Sequence, residues 1–438
     1  MDMKNSVKQI FLAGVESVLP DQLMRSQVTF VEGVLSVAGT SYPLASFKNI
    51  YVLGAGKASA LMAKEMEHIL GEHITDGHIA VKHGHACDLK QLKVTEAGHP
   101  LPDLNGITAS QKILKIAHKA DACDLVFCLL SGGASALLAD FPEGSTLEDL
   151  IMTNELLVKS GANIKEINTV RKHLSKIKGG QLAKAIHPAT TISLILSDVI
   201  GDPLDVIASG PTSDDKSTFK DALAVIEKYH LEARLPETMM RYLKNGDNGL
   251  VAETPKQDDM IFKKVNNVVI GSNSIALTAA ADKAKALGFI PYIITAALED
   301  DYTKVGDFIL ESIEKYRQHQ PNQPLCLLFG GEPTVKVTGN GLGGRNQHLA
   351  LYCAIKLEER KGLTLLCAGT DGTDGPTDAA GAIVDGQTMS TASSKNIDPL
   401  KYLQTSDSYH FFNQVGGQLV TGSTHTNVMD IMIALLEC

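Results

Sequence analysis

Apolar runs that break off into glycine and hydroxyl residues, with a helical pattern behind them, set the rhythm of this chain. The segment from 49 to 66, NIYVLGAGKASALMAKEM, reads as a buried strand, a glycine turn and a helix. DLVFCLLSGGASALL, 124 to 138, repeats that order, and NNVVIGSNSIALTAAADKA, 266 to 284, repeats it again. Continuous apolar strands alternating with helices are the pattern of a parallel sheet covered on both faces. Further strands are expected at GHIAVK (77 to 82), TTISLILS (190 to 197), GFIPYIIT (288 to 295), PLCLLFGG (324 to 331) and QLVTG (418 to 422). Helices are expected over 107–120, through 147–186, and over 218–230, 237–244 and 305–319. Near the amino terminus Phe11, Val15 and Val18 fall on one helical face, and a short valine-rich segment follows. The polar segment 245 to 259, NGDNGLVAETPKQDD, separates two such alternations. The predicted fold is α/β in two domains: residues 1–250 as a Rossmann-like, doubly wound, mostly parallel sheet, and 260–438 as a second α/β domain.

Composition narrows the class. At 438 residues the chain exceeds the size at which one core stops growing, and 44% hydrophobic with 21% charged residues is an ordinary globular balance. Forty Lys and Arg against fifty Asp and Glu give a net charge of -10, which argues against nucleic acid or an anionic membrane as partner. A small anion in a locally basic cleft remains compatible with it. No apolar run reaches the ~18 residues of a membrane span, and the amino terminus is too short in its apolar part for a signal peptide. Cys87, Cys123, Cys128, Cys326, Cys353, Cys367 and Cys438 are scattered, mostly in apolar runs, as reduced thiols of a cytoplasmic protein would be.

The polar ends of the strands carry the candidate chemistry. Gly54 and Gly56 permit close approach of a ligand to the backbone, and Lys57 adds a full positive charge beside a helix start. A Walker loop does not fit, since Tyr51 and Ala58 stand where Gly and Ser or Thr are needed; a dinucleotide fingerprint fails at Ser59, although Asp76 lies near the distance of a ribose contact. The turn Ser131-Gly132-Gly133-Ala134-Ser135 repeats the device, with consecutive amides that can nest an anion. His83, His85 and Cys87 invite a zinc reading, but no second ligand pair follows, so a solvated loop is expected; His99, in TEAGHPLPD, is a polar contact candidate. In NTVRKHLSKIKGGQL, Asn168, Arg171, Lys172, Ser175, Lys176 and Lys178 form a basic surface, either a solvated helix face or charge for an anionic ligand. Asp198 and Asp202 follow a strand's carboxyl end. Glu332 stands beside Gly330 and Gly331, and Arg345 with Asn346 opens a helix after a glycine-rich loop, which suits a phosphate or carboxylate clamp. In LLCAGTDGTDGPTDAAGA an apolar run opens into Asp371, Asp374 and Asp378, placed to hold a metal or a polar substrate.

Taken together, GAGKAS, AGHPLPD, SGGASALL, INTVRKHLS, SDVIGDPLDVIASGPT, GGEPTV, GGRNQ and GTDGTDGPTDAAGAIVDG, in this order from about Val52 onward, resemble the class II glycerate kinases (glycerate 2-kinases). The resemblance implies a carboxy-terminal MOFRL domain, an active site in the cleft between the domains, and ATP-dependent, Mg2+-assisted phosphorylation of D-glycerate at its 2-hydroxyl. It carries the catalytic positions to Lys57 and Arg345, with Asp198 orienting or deprotonating the hydroxyl. Gly54, Gly56, Ser131, Gly132, Gly133, Ser135, Asn168, Arg171, Glu332, Asn346, Asp371 and Asp374 then bind substrate or nucleotide, and Asp198 and Asp371 are the metal ligands expected. The chain departs from the family at His348, usually Glu, and at GSTHTN, 422 to 427, usually GPTGTN. The partners implied are small molecules, with a homodimer left open. The alternatives are an NAD(P)H-dependent hydroxypyruvate reductase and a non-catalytic sugar-acid binding protein. Neither Lys57 nor Arg345 lies in an apolar run, so removing either is expected to cost activity and not the fold.

Overall fold

The glycine turns anticipated after residues 53 and 130 close adjacent strands of one sheet. In the computed structural model, which describes residues 2–357 and 360–437, the chain divides into two compact units. One comprises Leu23–Ser197 and Asp202–Ile270; the other comprises Met1–Gln22, Asp198–Gly201 and the chain from Gly271 onward.

The first of these units holds a small antiparallel sheet, β1 (Val28–Val31), β2 (Val34–Val37) and β3 (Thr40–Pro43). Its main sheet contains β4 (Ile50–Ala55), β5 (Asp76–Lys82), β6 (Lys93–Ala97), β7 (Leu125–Leu130), β8 (Thr190–Leu196) and β9 (Val265–Gly271). The order is β6-β5-β4-β7-β8-β9, and the pairs from β6 through β8 are parallel. Counted from β4 this is 3-2-1-4-5-6, the doubly wound order, and it arises because right-handed crossovers run outward in both directions from β4. Every residue of β4 and β7 is buried, as their unbroken apolar runs require. Leu53, Ala55, Val126 and Cys128 pack against Ile113, Leu182 and Ile186 of the covering helices. A further helical layer, 147–159, 164–173, 219–228 and 237–247, has its own core around Leu157, Val170, Phe219, Ile226 and Leu243. Capping boxes Thr146/Asp149, Asn163/Glu166 and Thr218/Asp221 start three of these helices, so their first amides are satisfied locally.

The other unit is a mixed sheet of β10 (Ile290–Leu298), β11 (Leu325–Gly331), β12 (Leu363–Gly369), β13 (Gly381–Asp385), β14 (Gln418–Leu419) and β15 (Asp430–Leu436), ordered β10-β11-β15-β12-β13-β14. Only β10 and β11 pair in parallel; β15 runs antiparallel between β11 and β12 and is wholly buried. The helix Met3–Ser17 belongs to this unit, with its apolar face, Val7, Ile10, Phe11 and Val15, buried. Gly14 lets it approach the helix Asn273–Ala286, and Thr426 Oγ1 donates to the Val18 carbonyl at its end, 2.6 Å away. The DSYHFFNQV segment is the helix Ser408–Val415, buried through Phe411 and Phe412. No helix among the described residues is long and apolar enough to cross a membrane.

Gly56 has φ of +136°, and a methyl group there would collide with the side chain and carbonyl of Ser131. Gly56→Ala should therefore lose ~3 kcal/mol of stability in urea unfolding. A loss under about 1 kcal/mol would mean that the two turns can part without cost.

Candidate functional site

Strand order reverses between β4 and β7, so the crevice beyond their carboxyl ends is where an open sheet of this kind admits a ligand. The two turns there are stitched together: Lys57 N donates to Gly132 O at 2.9 Å, Ser131 N to Ala55 O at 3.1 Å, and Ala58 N to Ser131 Oγ at 3.0 Å. Ser59 Oγ donates to Leu129 O at 3.0 Å, tying the helix start to β7 where a dinucleotide fold needs a smaller residue. His85 Nδ1 lies 3.1 Å from Lys57 O, and Cys87 Sγ donates to Ala60 O at 3.4 Å. What remains is capacity for a ligand. The half-buried Lys57 ammonium forms no ion pair, and the amides of Gly132 and Gly133 meet no acceptor, among the described residues.

Beside this turn lies a cavity of about 390 Å³, lined by Leu101, Ile151 and Val158 together with Gly133, Ser135 and Arg171. Arg171 Nε donates to Asn154 Oδ1 at 2.7 Å, and burial lowers its pKa. Lys178 and Asp140 also line the cavity, as a pair 3.3 Å apart; burial lowers the Lys178 pKa against the pull of Asp140.

In the other unit, Arg345 stands at the start of the helix Arg345–Leu357 and is gripped by two carboxylates. Its Nε and Nη2 donate to Asp430 at 2.5 and 3.0 Å, and Nη1 donates to Glu332 at 2.6 Å. Asp430 begins β15 opposite both Gly331 and Gly369, so it lies between the carboxyl ends of β11 and β12. Its side chain is 1% exposed, against 34% for Arg345 and 46% for Glu332. Burial pushes the Asp430 carboxyl up to about 6, against the pull of Arg345. Burial also works against the Arg345 charge, but Asp430 and Glu332 outweigh it and keep the guanidinium protonated.

The comparisons with known proteins cover the whole chain. The family described as a domain of unknown function (DUF4147) matches residues 6–244, and the MOFRL family matches 325–430. A Pyrococcus horikoshii protein named glycerate 2-kinase is 43% identical over 100% of this chain and 98% of its own length. A Thermotoga maritima protein named D-glycerate 2-kinase is 40% identical over 99% and 98%. The crystal structure of a T. maritima glycerate kinase covers 99% of each chain with a TM-score of 0.89 at 40% identity. An Agrobacterium vitis protein named putative hydroxypyruvate reductase is 39% identical over 88% of this chain and 86% of its own. This chain belongs to the glycerate 2-kinase family.

Several residues that the family motifs suggested as ligand contacts have hydrogen-bond or packing partners within the protein. Asp374 is buried; its Oδ1 accepts from the Asn346 amide at 2.9 Å and its Oδ2 from the Gln347 amide at 2.8 Å, with both side-chain amides added. It caps the start of the Arg345 helix with both carboxylate oxygens engaged, and Asn346 beside it is buried. Ser131 is the bracket between the turns, and Gly54 is a strand glycine pressed on the Leu129 carbonyl. Asn168 is buried, accepting from Ser209, whose hydroxyl shares a 2.7 Å bond with Ser135. The basic run is no solvated face: Lys172 is buried between Asp215 and Asp205 at 3.4 and 3.5 Å, and Lys178 donates to Leu138 O. His83, His85 and Cys87 each have a partner of their own: His83 faces Asp103 at 3.3 Å, His85 the Lys57 carbonyl and Cys87 the Ala60 carbonyl. His348, the family's usual Glu, packs edge-on to Tyr302 with ring centroids 4.6 Å apart, and burial lowers its pKa to about 4. Asp371 stays half-exposed, with Oδ1 taken by Thr373 and Oδ2 open. Asp198 opens the Asp198–Gly201 segment, and it has partners of its own.

The two carboxylates that hold Arg345 make its removal a test of stability as well as of activity. Arg345→Ala strands a buried carboxylate, so it should lose ~3–5 kcal/mol of stability, and adding Asp430→Asn should return at least about half of that. Chemical unfolding of the two single variants and the double variant checks this; an Arg345→Ala protein as stable as wild type would contradict it.

Acid should also weaken the clamp. Asp430, ordinarily near 3.8, takes up its proton as pH falls through about 6, and Arg345 then loses its main anchor. Turnover should fall below that pH, and Asp430→Asn should flatten this limb. Because the folded-state pKa is raised, this group favours the folded form at low pH and loses that contribution as pH rises through about 6, so its acid limb is not unfolding. A wild-type profile level from about pH 7 to 5 would overturn the assignment.

Proposed function

We propose that this protein transfers the γ-phosphoryl group of ATP to the 2-hydroxyl of D-glycerate, giving 2-phosphoglycerate and ADP. The observation that carries the reading is the unpaired Lys57 ammonium beside two amides without acceptors, at the switch point of a doubly wound sheet. Phosphoryl transfer asks the protein mainly for positioning and charge neutralisation, which free cationic and N–H donors supply. The hydroxyl oxygen forms the new bond to phosphorus, the bond to the bridging β,γ-oxygen breaks, and the hydroxyl proton leaves to a base. Lys57 serves the transferring phosphate, with Gly132 and Gly133 donating to anionic oxygens and Arg171 adding charge. Arg345, held by Asp430 and Glu332, serves the phosphate or the glycerate carboxylate, and Asp198 orients or deprotonates the hydroxyl.

Mg2+ keeps several waters and binds through one or two carboxylates together with substrate phosphates. Among the described residues no three His, Cys, Asp or Glu side chains gather as a metal centre. Such a loosely held ion would be held by Asp371, whose Oδ2 accepts no hydrogen bond among the described residues, and by Asp198, and it would neutralise phosphate charge. The 2-hydroxyl is the nearer one to the carboxylate, so an enzyme that clamps the carboxylate close to the phosphate reaches it first. Hydroxypyruvate reduction has less support, because Ser59 occupies the position a dinucleotide turn keeps small.

With D-glycerate, ATP and Mg2+, the product should feed enolase directly; a signal that appears only when phosphoglycerate mutase is added would place the phosphate on the 3-hydroxyl. Hydroxypyruvate-dependent NADH oxidation would overturn the kinase reading. Lys57→Ala should lower turnover by a factor on the order of 10³ with unfolding unchanged, since losing one transition-state charge contact costs several kcal/mol. Near wild-type turnover would remove Lys57 from the mechanism.

A further inference from the structure

His99, a polar contact candidate by sequence, stands in the loop after β6, and the mechanism proposed above does not use it. Its ring rests on the glycine turn. The position a Cβ on Gly133 would take lies 3.0 Å from His99 Nε2, 2.9 Å from its Cδ2 and 3.6 Å from Lys57 Cγ. The ring also lines the cavity that reaches Gly133 and Ser135. Half-buried as it is, the imidazole makes no hydrogen bond to any described residue, although half-buried polar groups ordinarily find partners. Its neighbours explain its state. Burial lowers its pKa to about 4, and the charges of Lys57, Lys82 and His85 push the same way, so at neutral pH one ring nitrogen carries a hydrogen to donate. A neutral donor, an ammonium and two free amides around one glycine turn leave a space that only an acceptor can satisfy.

We infer that His99 is a substrate-contacting residue, donating a ring N–H to a substrate oxyanion held by Lys57 and the amides of Gly132 and Gly133. The oxyanion is a phosphate oxygen of the nucleotide or the carboxylate of glycerate. The inference rests on the kinase reading for its substrates and on the turn geometry for its donor. A neutral donor suits this place, since a second cation beside Lys57 would have to be desolvated against it.

The test is steady-state kinetics of His99→Ala and His99→Asn beside wild type, varying ATP and glycerate separately. Losing a hydrogen bond to a charged group corresponds to roughly 10- to 100-fold. His99→Ala should raise KM by that factor for one substrate, which identifies whose oxyanion is bound, or lower kcat by it if the contact tightens in the transition state. His99→Asn, which keeps an N–H donor, should recover most of the loss. If both variants match wild type within about twofold, or if both fail equally, the contact is refuted. Should His99→Ala not fold, wild type decides: histidine-labelled protein is titrated with inorganic phosphate, and the resonance that vanishes in His99→Asn must shift. A resonance unmoved by phosphate refutes the contact even then. Wild type inactive on glycerate would sink the kinase reading alone, because the phosphate titration does not depend on turnover.

Discussion

The site depends on how closely the ends of β4 and β7 approach each other. Ser131 Oγ accepts the Ala58 amide and meets Ser59 Oγ at 3.1 Å, while Lys57 N reaches back to Gly132 O. These bonds use the donors that would otherwise face the crevice from the first turn, and they leave free the amides of the second. The approach is possible only because Gly56 carries no side chain toward Ser131. Lys57 is thereby held at the crevice by its backbone, and its side chain keeps its full reach. This is the arrangement expected where a charge must be placed without being neutralised by the protein itself.

Arg345 is treated in the opposite way. Two carboxylates fix its guanidinium, and a third, Asp374, caps the helix on which it stands. Asp430 bears the larger desolvation cost, being wholly buried, while Glu332 remains half in solvent. A bidentate pair fixes the plane of the guanidinium as well as its position, so Arg345 offers a ligand a set direction at the cost of net charge.

Much of this was legible in the sequence, and the misses share a cause. The strand–turn–helix units after 49 and 124 were readable because parallel strands buried on both faces are unbroken apolar runs, and the family motifs fall on those turns. Asp430 escaped because the reading looked for acids after strands. It begins one, in an antiparallel strand whose start lies beside its neighbours' ends; an acid opening the apolar IMIALL run was the available signal. Asp374 and Asp371 have the same local spelling in GTDGTDG, and only the tertiary placement of the Arg345 helix makes one a cap and leaves the other half-exposed. Lys172 and Lys178 could be read as a solvated face or as charge for a ligand, but not as internal pairs, because their counterions, Asp215 and Asp140, lie about forty residues away in sequence. The amino-terminal helix was readable as a helix, but its apolar face does not say which core it enters.

The motif residues thus divide by whether their hydrogen-bonding capacity is spent. Ser131, Asn168, Asp374, Asp430, Lys172 and Lys178 are satisfied inside the protein, and each fixes a neighbour. Lys57, His99, the Gly132 and Gly133 amides and Asp371 Oδ2 keep capacity to spare. Buried polar groups are normally paired because leaving them unpaired is costly. An accumulation of unspent donors at one turn therefore supports the proposal that a ligand rich in oxygen binds there. A phosphate or carboxylate has acceptors enough to meet an ammonium, an imidazole N–H and two amides at once. Such donors would serve the pyrophosphate of a dinucleotide as well as a nucleoside triphosphate, so it is Ser59 in the first turn that weighs against hydride transfer on this sheet.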